Sequence, residues 1–134
     1  MLEDIFLRSI KYIAEIHDKN LFHGDIKPAN LFYYYNDEHK EIKISSDSGS
    51  LIQLDQENSD RKYYIRYFTP GFASYNHVKL ILNESGEYKD DLFKEDKYQL
   101  ISTFKNLIKN NYNDINKHIL EYLYDDLYSV SQIN

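Results

Sequence analysis

Apolar residues in the first nineteen positions recur with the spacing of a helix. Leu2, Ile5, Phe6, Ile10, Ile13 and Ile16 form one stripe, and Glu3 and Asp4 complement the positive end of a helix dipole. This predicts a helix over 3–19, with Asn20 suited to a left-handed stop. Residues 21–30 contain Gly24 and Pro28 and cannot continue that helix, so they read as a loop. Two β-prone runs follow, Leu31–Tyr35 and Glu41–Ser45, around the polar stretch Asn36–Lys40, and predict a hairpin over 31–45. Residues 46–76 sustain no period and are expected to be mostly loop, of a length that in compact domains is generally functional or mobile.

Helical periodicity returns over 92–109. Phe93, Leu100, Ile101, Phe104, Leu107 and Ile108 share a face, with Glu95 and Asp96 near the start. A third helix is expected at about 114–128, through Ile115, Ile119, Leu120, Leu123 and Leu127. The helices over 3–19 and 92–109 each offer one apolar stripe and should pack together beneath the 21–30 loop. The expected fold class is α+β, mainly α, with helices around one short β-hairpin.

Composition narrows the setting. A chain of 134 residues, 42% hydrophobic, is long enough for one domain with its own core. The absence of cysteine excludes disulfide frameworks, thiolate metal sites and cysteine nucleophiles, and is compatible with a reducing, intracellular and cytoplasmic setting. No apolar run approaches the roughly 20 residues that span a bilayer, and Met1–Asp4 lacks the basic-then-apolar order of a signal peptide. A net charge of −6 argues against nucleic acid or an anionic membrane as partner. The same charge sets aside base stacking as the role of the tyrosines at 33–35 and 63–67.

Candidate chemistry is concentrated in His23-Gly-Asp-Ile-Lys-Pro-Ala-Asn30. An Asp followed two residues later by Lys and five later by Asn, on a proline-fixed loop before a strand, suits phosphoryl transfer. Asp25 can accept a proton from an attacking hydroxyl, Lys27 can face the phosphate charge, and Asn30 offers a neutral oxygen to Mg²⁺. Asp47-Ser48-Gly49 lies across the hairpin, where a carboxylate could bridge Mg²⁺ to phosphate oxygens and Gly49 could allow a sharp turn. A hairpin brings its two ends together, which makes Asp25, Asn30 and Asp47 one candidate site. The competing reading is that these side chains satisfy loop backbone groups. The five histidines show no metal-ligand spacing. The oxygen spacing at Asp55–Ser59 fails as a calcium loop, because Asp60 and Arg66 stand where glycine and glutamate are needed.

The ordered motifs resemble the C-terminal lobe of the eukaryotic protein kinases. His23–Asn30 is similar to the catalytic loop H-R-D-x-K-P-x-N, and Asp47–Gly49 to the metal-binding D-F-G. Thr69–Asn76 resembles the T-P-G-Y-x-A-P-E segment that shapes the substrate groove. Asp96 resembles the Asp that opens the central helix and holds the catalytic loop's backbone. Lys27 and Thr69 together are similar to the serine/threonine kinases. The resemblance implies a protein-kinase-like C-lobe, an activation-type loop over 47–76, and Mg²⁺ and ATP as cofactors. It implies a protein substrate or partner, and a Thr69 hydroxyl that links Asp25 and Lys27. It also implies that His23 has a structural part and is not a base.

Departures from the family pattern bear on activity. Gly24 replaces the arginine that grips a phosphorylated loop, Ser48 replaces the phenylalanine of D-F-G, and Asn76 replaces the glutamate of A-P-E. No arginine follows Arg66, so that glutamate's partner is missing too. No G-x-G-x-x-G loop occurs, and only Lys11 and Lys19 precede Asp25. Because positioning and electrostatics supply nearly all the catalysis of phosphoryl transfer, this chain alone is expected to be inactive. Two readings follow: a serine/threonine kinase-like domain needing an N-terminal lobe, or a degenerate kinase-type binding module. A third is an unrelated helical domain, which the lack of a hairpin beside Asp25 would favour. Exposed apolar surface on the upper face predicts self-association.

Overall fold

A computed structural model describes residues 2–111, 120–122, 124–126 and 128. The chain begins with α1 (Leu2–Asp18), and Asn20 ends it with φ +57°, as its short polar side chain permits. β1 (Leu21–Phe22) leads into the loop at 23–30, which closes in a single 3₁₀ turn at Pro28–Asn30. The hairpin follows as β2 (Leu31–Asn36) and β3 (Glu41–Ser46), each one residue longer than the sequence pattern suggests. Its register pairs Leu31 with Ser46 and Asn36 with Glu41. At the tip, Asn36 Oδ1 accepts hydrogen bonds from the N–H groups of Glu38 and His39.

The segment over 46–76 is mostly loop, as expected, with short strands set into it. It contains β4 (Ile52–Gln53), which pairs with β1, and β5 (Lys62–Tyr63), which pairs with β6 (Glu87–Tyr88). Two-residue ladders between distant segments leave no period in the sequence, so among the described residues the one expected hairpin is joined by two further two-stranded sheets. The segment ends in α2 (Tyr75–Leu82), capped by Ser74, whose Oγ accepts from His77 N. Tyr75 is 82% and Leu82 68% exposed, which hides the short apolar face of α2.

α3 runs from Lys89 to Asn111, three residues earlier than the pattern at 92–109 predicts. Asp90 and Asp91 occupy its first turn, where acids suit the dipole. Glu95 and Asp96, expected near the helix start, lie in the second turn and are buried. Residues 120–122, 124–126 and 128 are helical, while Ile115, Ile119, Leu123 and Leu127 of the expected third helix lie outside the described residues.

The core sits where α1 meets α3. Ile5, Phe6, Ile10, Ile13 and Ile16 pack against Leu100, Ile101, Phe104 and Ile108, with Ile26 of the loop and Leu120 and Tyr124 closing the cluster. Phe93 and Leu107 are only half-buried. A smaller cluster, Phe22, Leu54, Tyr63, Ile65 and Leu92, anchors the 46–76 segment. No helix among the described residues is long and apolar enough to cross a membrane.

Candidate active site

One face of α3 carries the site from below. Leu92, Glu95, Asp96, Gln99, Leu100 and Thr103 follow helical spacing and are all buried, yet four of the six are polar. A polar group buried without a partner is costly; Asp96, Gln99 and Thr103 find theirs in the 23–26 backbone, and Glu95 finds its own in Ser74 and Gln99. Asp96 Oδ1 accepts from Gly24 N at 2.8 Å, and Oδ2 accepts from His23 N at 2.9 Å. Gln99 Oε1 accepts from Ile26 N at 2.9 Å, and Thr103 Oγ1 donates to the Ile26 carbonyl at 3.4 Å. Asp96 Oδ2 also meets His17 Nε2 at 2.8 Å, so the end of α1 joins the same carboxylate. Since Asp96 only accepts, His17 Nε2 carries the hydrogen. The other nitrogen, Nδ1, lies 2.9 Å from the Tyr128 hydroxyl, whose pKa burial and Asp96 push up to about 12.

Held in this way, the loop adopts a shape that its residues reflect. Gly24 has φ +82°, and a Cβ there would stand 2.8 Å from Phe22 Cε2. The position that is arginine in the resembled motif is therefore a left-handed turn packed on a buried ring. His23 is fully buried, as its structural reading expects. Its Nδ1 accepts from Asp25 N at 3.1 Å, and its Nε2 lies 3.1 Å from Ser46 Oγ. Burial holds its pKa below the ordinary histidine value, against the opposing pull of Asp96 and Asp25. The neutral ring is what an accepting Nδ1 requires.

Above this base, four of the five sequence-derived site residues meet directly. Asp25 Oδ1 accepts from the Thr69 hydroxyl at 2.7 Å, and Thr69 Oγ1 accepts from Lys27 Nζ at 3.0 Å. Lys27 Nζ stands 3.8 Å from Asp25 Oδ2. Asn30 Nδ2 donates to that same Oδ2 at 2.9 Å and to the Asp25 carbonyl at 2.9 Å. Asp25 thus holds both oxygens in fixed directions, with its side chain 17% exposed. A carboxylate has about four acceptor positions, so capacity remains for a further donor.

Asp47 joins through the backbone. Its N–H donates to the Asn30 carbonyl at 3.1 Å, which closes the open end of the hairpin beside Asp25. The Asp47 side chain is exposed, and its Oδ1 accepts from Gly49 N at 2.9 Å. The turn is therefore made by the Asp47 carboxylate, because only Gly24 and Gly71 among the glycines have positive φ. Ser48 is exposed, in keeping with a polar residue in place of a large apolar anchor.

The residues present fit a hard cation in one respect. Asn30 is held by its nitrogen and Asp47 by Oδ1, which leaves Asn30 Oδ1 and Asp47 Oδ2 as oxygen ligands on adjoining segments. Among the described residues, no group of three His, Asp or Glu side chains converges as a metal site.

Sequence reasoning missed Ser74, Glu95 and Gln99. Glu95 Oε2 accepts from Ser74 N at 3.0 Å and from Gln99 Nε2 at 3.0 Å, and Glu95 Oε1 accepts from the Ser74 hydroxyl. A continuous chain, Ile26–Gln99–Glu95–Ser74, connects the loop to the cap of α2. The available signal was the polar character of a helical stripe that continues into Leu100. Asn76 is exposed on α2, whereas its neighbour His77 is buried and meets Glu87 at 2.8 Å.

No family model matches the chain. The chain is similar to eukaryotic translation initiation factor 2-alpha kinase 3 of Bos taurus, at 32% identity over 69 residues. The match covers 52% of this chain and 6% of that protein's length. This partial similarity supports a relationship to the protein kinases at the level of the family.

Proposed function

We propose that this chain is the C-lobe portion of a serine/threonine protein kinase-like domain, transferring a phosphoryl group to a protein hydroxyl when completed by an N-terminal lobe. The observation that carries the reading is the Thr69 hydroxyl, which donates to Asp25 and accepts from Lys27. A threonine forty-four residues from Asp25 has no local reason to occupy that position. That bond supports reading the Thr69–Asn76 segment as a substrate groove and Asp25 as the base beside it.

In this mechanism Asp25 accepts the proton of the attacking hydroxyl, oriented by Asn30 on one oxygen and Thr69 on the other. Lys27, held by Thr69, lies beside Asp25 and can offset charge on a transferring phosphoryl group. Asn30 and Asp47 would hold Mg²⁺, which with ATP supplies an electrophilic phosphoryl group when bound. Asp96 and Gln99 fix the loop backbone, so that little reorganisation accompanies proton transfer.

The test is phosphoryl transfer to a protein substrate by this chain joined to a kinase N-terminal lobe. Asp25→Ala should lower transfer by about 100-fold or more, the usual range for a positioned acid–base group. Equal transfer by the variant removes Asp25 from the chemistry. A second reading, a non-catalytic binding module, is favoured by the exposure of Asp47, Ser48 and Gly49 together. It expects no magnesium-dependent ATP binding by the completed domain in calorimetry.

A further inference from the structure

Two segments distant in sequence meet at Asp25, and two separate sets of bonds hold them together. One is direct, the Thr69 hydroxyl on Asp25 Oδ1 at 2.7 Å. The other runs through α3. Gln99 Oε1 accepts at 2.9 Å from the N–H of Ile26, the residue after Asp25, and Gln99 Nε2 donates to Glu95 Oε2 at 3.0 Å. The Glu95 carboxylate accepts from both the N–H and the hydroxyl of Ser74. Ser74 and Thr69 are joined in turn by a tight bend, in which the Thr69 carbonyl accepts from Phe72 N at 3.3 Å and from Ala73 N at 3.2 Å. The bonds therefore close a ring, Asp25–Ile26–Gln99–Glu95–Ser74–Thr69–Asp25.

The side chain at 99 has to serve two opposite functions. The loop offers it an N–H and Glu95 offers it a carboxylate, so one end must accept and the other must donate. A carboxylate only accepts and an ammonium only donates, whereas a primary amide does both. Gln99 and Glu95 lie four residues apart on one helical face and are 2% and 5% exposed. This arm of the ring is shielded from water, where each bond in a network strengthens its neighbours. Lys27 Nζ donates to Thr69 Oγ1 at 3.0 Å, so a shift of Thr69 moves the ammonium as well.

We propose that Gln99 is a positioning residue for phosphoryl transfer. Through Glu95 and Ser74 it sets where the Thr69 bend stands, and so keeps the Thr69 hydroxyl and the Lys27 ammonium on the Asp25 carboxylate. The direct Thr69–Asp25 bond fixes one distance and leaves the bend free to pivot about it. The second attachment, at Ser74, removes that freedom. Gln99 acts at one remove, since its own bonds go to Ile26 and Glu95 and not to Asp25. Its part in transfer rests on the reading of Asp25 as the base; the coupling of Thr69 to Ile26 around the ring does not.

Two measurements test it. In the chain joined to a kinase N-terminal lobe, Gln99→Met removes both ends of the amide at similar length. It should lower kcat by about 10- to 100-fold with KM for ATP unchanged. In a Thr69→Val background the same substitution should cost less than about twofold, because its effect passes through Thr69. Undiminished transfer in Gln99→Met, or an equal loss in both backgrounds, overturns the proposal. The second measurement is amide hydrogen exchange, read by NMR in Thr69→Val of the chain alone. Exchange at Ser74 and Ile26 should rise about fivefold or more, while Leu100 and Phe104 in the core keep their rates. Unchanged exchange at Ser74 and Ile26, or a rise shared equally by the core, overturns the ring. A joined wild type that transfers nothing refutes the kinase reading, and Gln99's part in transfer with it; exchange then decides the ring by itself.

Discussion

Replacing Asp96 with alanine isolates the energetic role of a single buried carboxylate. Asp96 is fully buried and takes three hydrogen bonds, from His23 N, Gly24 N and His17 Nε2, at 2.8–2.9 Å. Alanine leaves three donors without an acceptor in a site that water does not reach. Each such loss costs about 1–3 kcal/mol, so the total is about 3–9 kcal/mol before relaxation. Domains of this size are stable by only about 5–15 kcal/mol. Asp96→Ala should therefore unfold the chain or leave it barely stable, while Asp96→Asn, which keeps one acceptor oxygen, should fall between. Urea unfolding followed by circular dichroism measures this. With a slope of about 1–3 kcal/mol per molar urea, a loss of 3 kcal/mol moves the midpoint by about 1 M or more. A midpoint in Asp96→Ala within about 0.3 M of the wild type would show that the three donors do not depend on this carboxylate, and the account of the loop would fail.

Two further predictions concern the same loop. Gly24→Ala should destabilise the chain by about 1–3 kcal/mol, through a strained φ of +82° and a methyl group against Phe22; an unfolding midpoint equal to the wild type's would contradict it. Burial lowers the pKa of His23 in the folded state, so the unfolded chain binds that proton more readily. Its contribution is complete above the ordinary value near 6.5 and is lost as pH falls below it. Unfolding midpoints measured at pH 7.5 and 5.5 should show a fall in the wild type that His23→Asn reduces; an equal fall in both proteins would assign the effect to other groups.

The parts legible in the sequence were those that local pattern controls. The α1 stripe, the glycine–proline break at 24–28 and the polar tip between two β-prone runs each follow from neighbours a few residues apart. Asp25, Lys27 and Asn30 were legible for the same reason, since one proline-fixed turn spaces them. Thr69 came from the family resemblance, because no local signal relates it to Asp25. The pairings of β1 with β4 and of β5 with β6 were hidden, because two residues cannot display a period. α2 was hidden by Tyr75 and Leu82, apolar residues that face solvent at its two ends. Glu95 and Gln99 are polar by type, yet they sit on the buried stripe because their partners are there, Ile26 N for Gln99, and Ser74 and Gln99 for Glu95. Polar residues at core spacing are the trace such a loop leaves in the helix beneath it.

The dependence of the loop on α3 has a consequence for synthesis. Gly24 and its acceptor in Asp96 are separated by 72 residues. At about 5–20 residues per second, the loop waits several seconds on the ribosome before the side chains that shape it are made. Throughout that interval His23, Gly24 and Ile26 have no fixed partner for their N–H groups. The segment bearing Asp25 is thus translated early and given its shape late, and a nascent chain halted before residue 96 should present it as an open protease target.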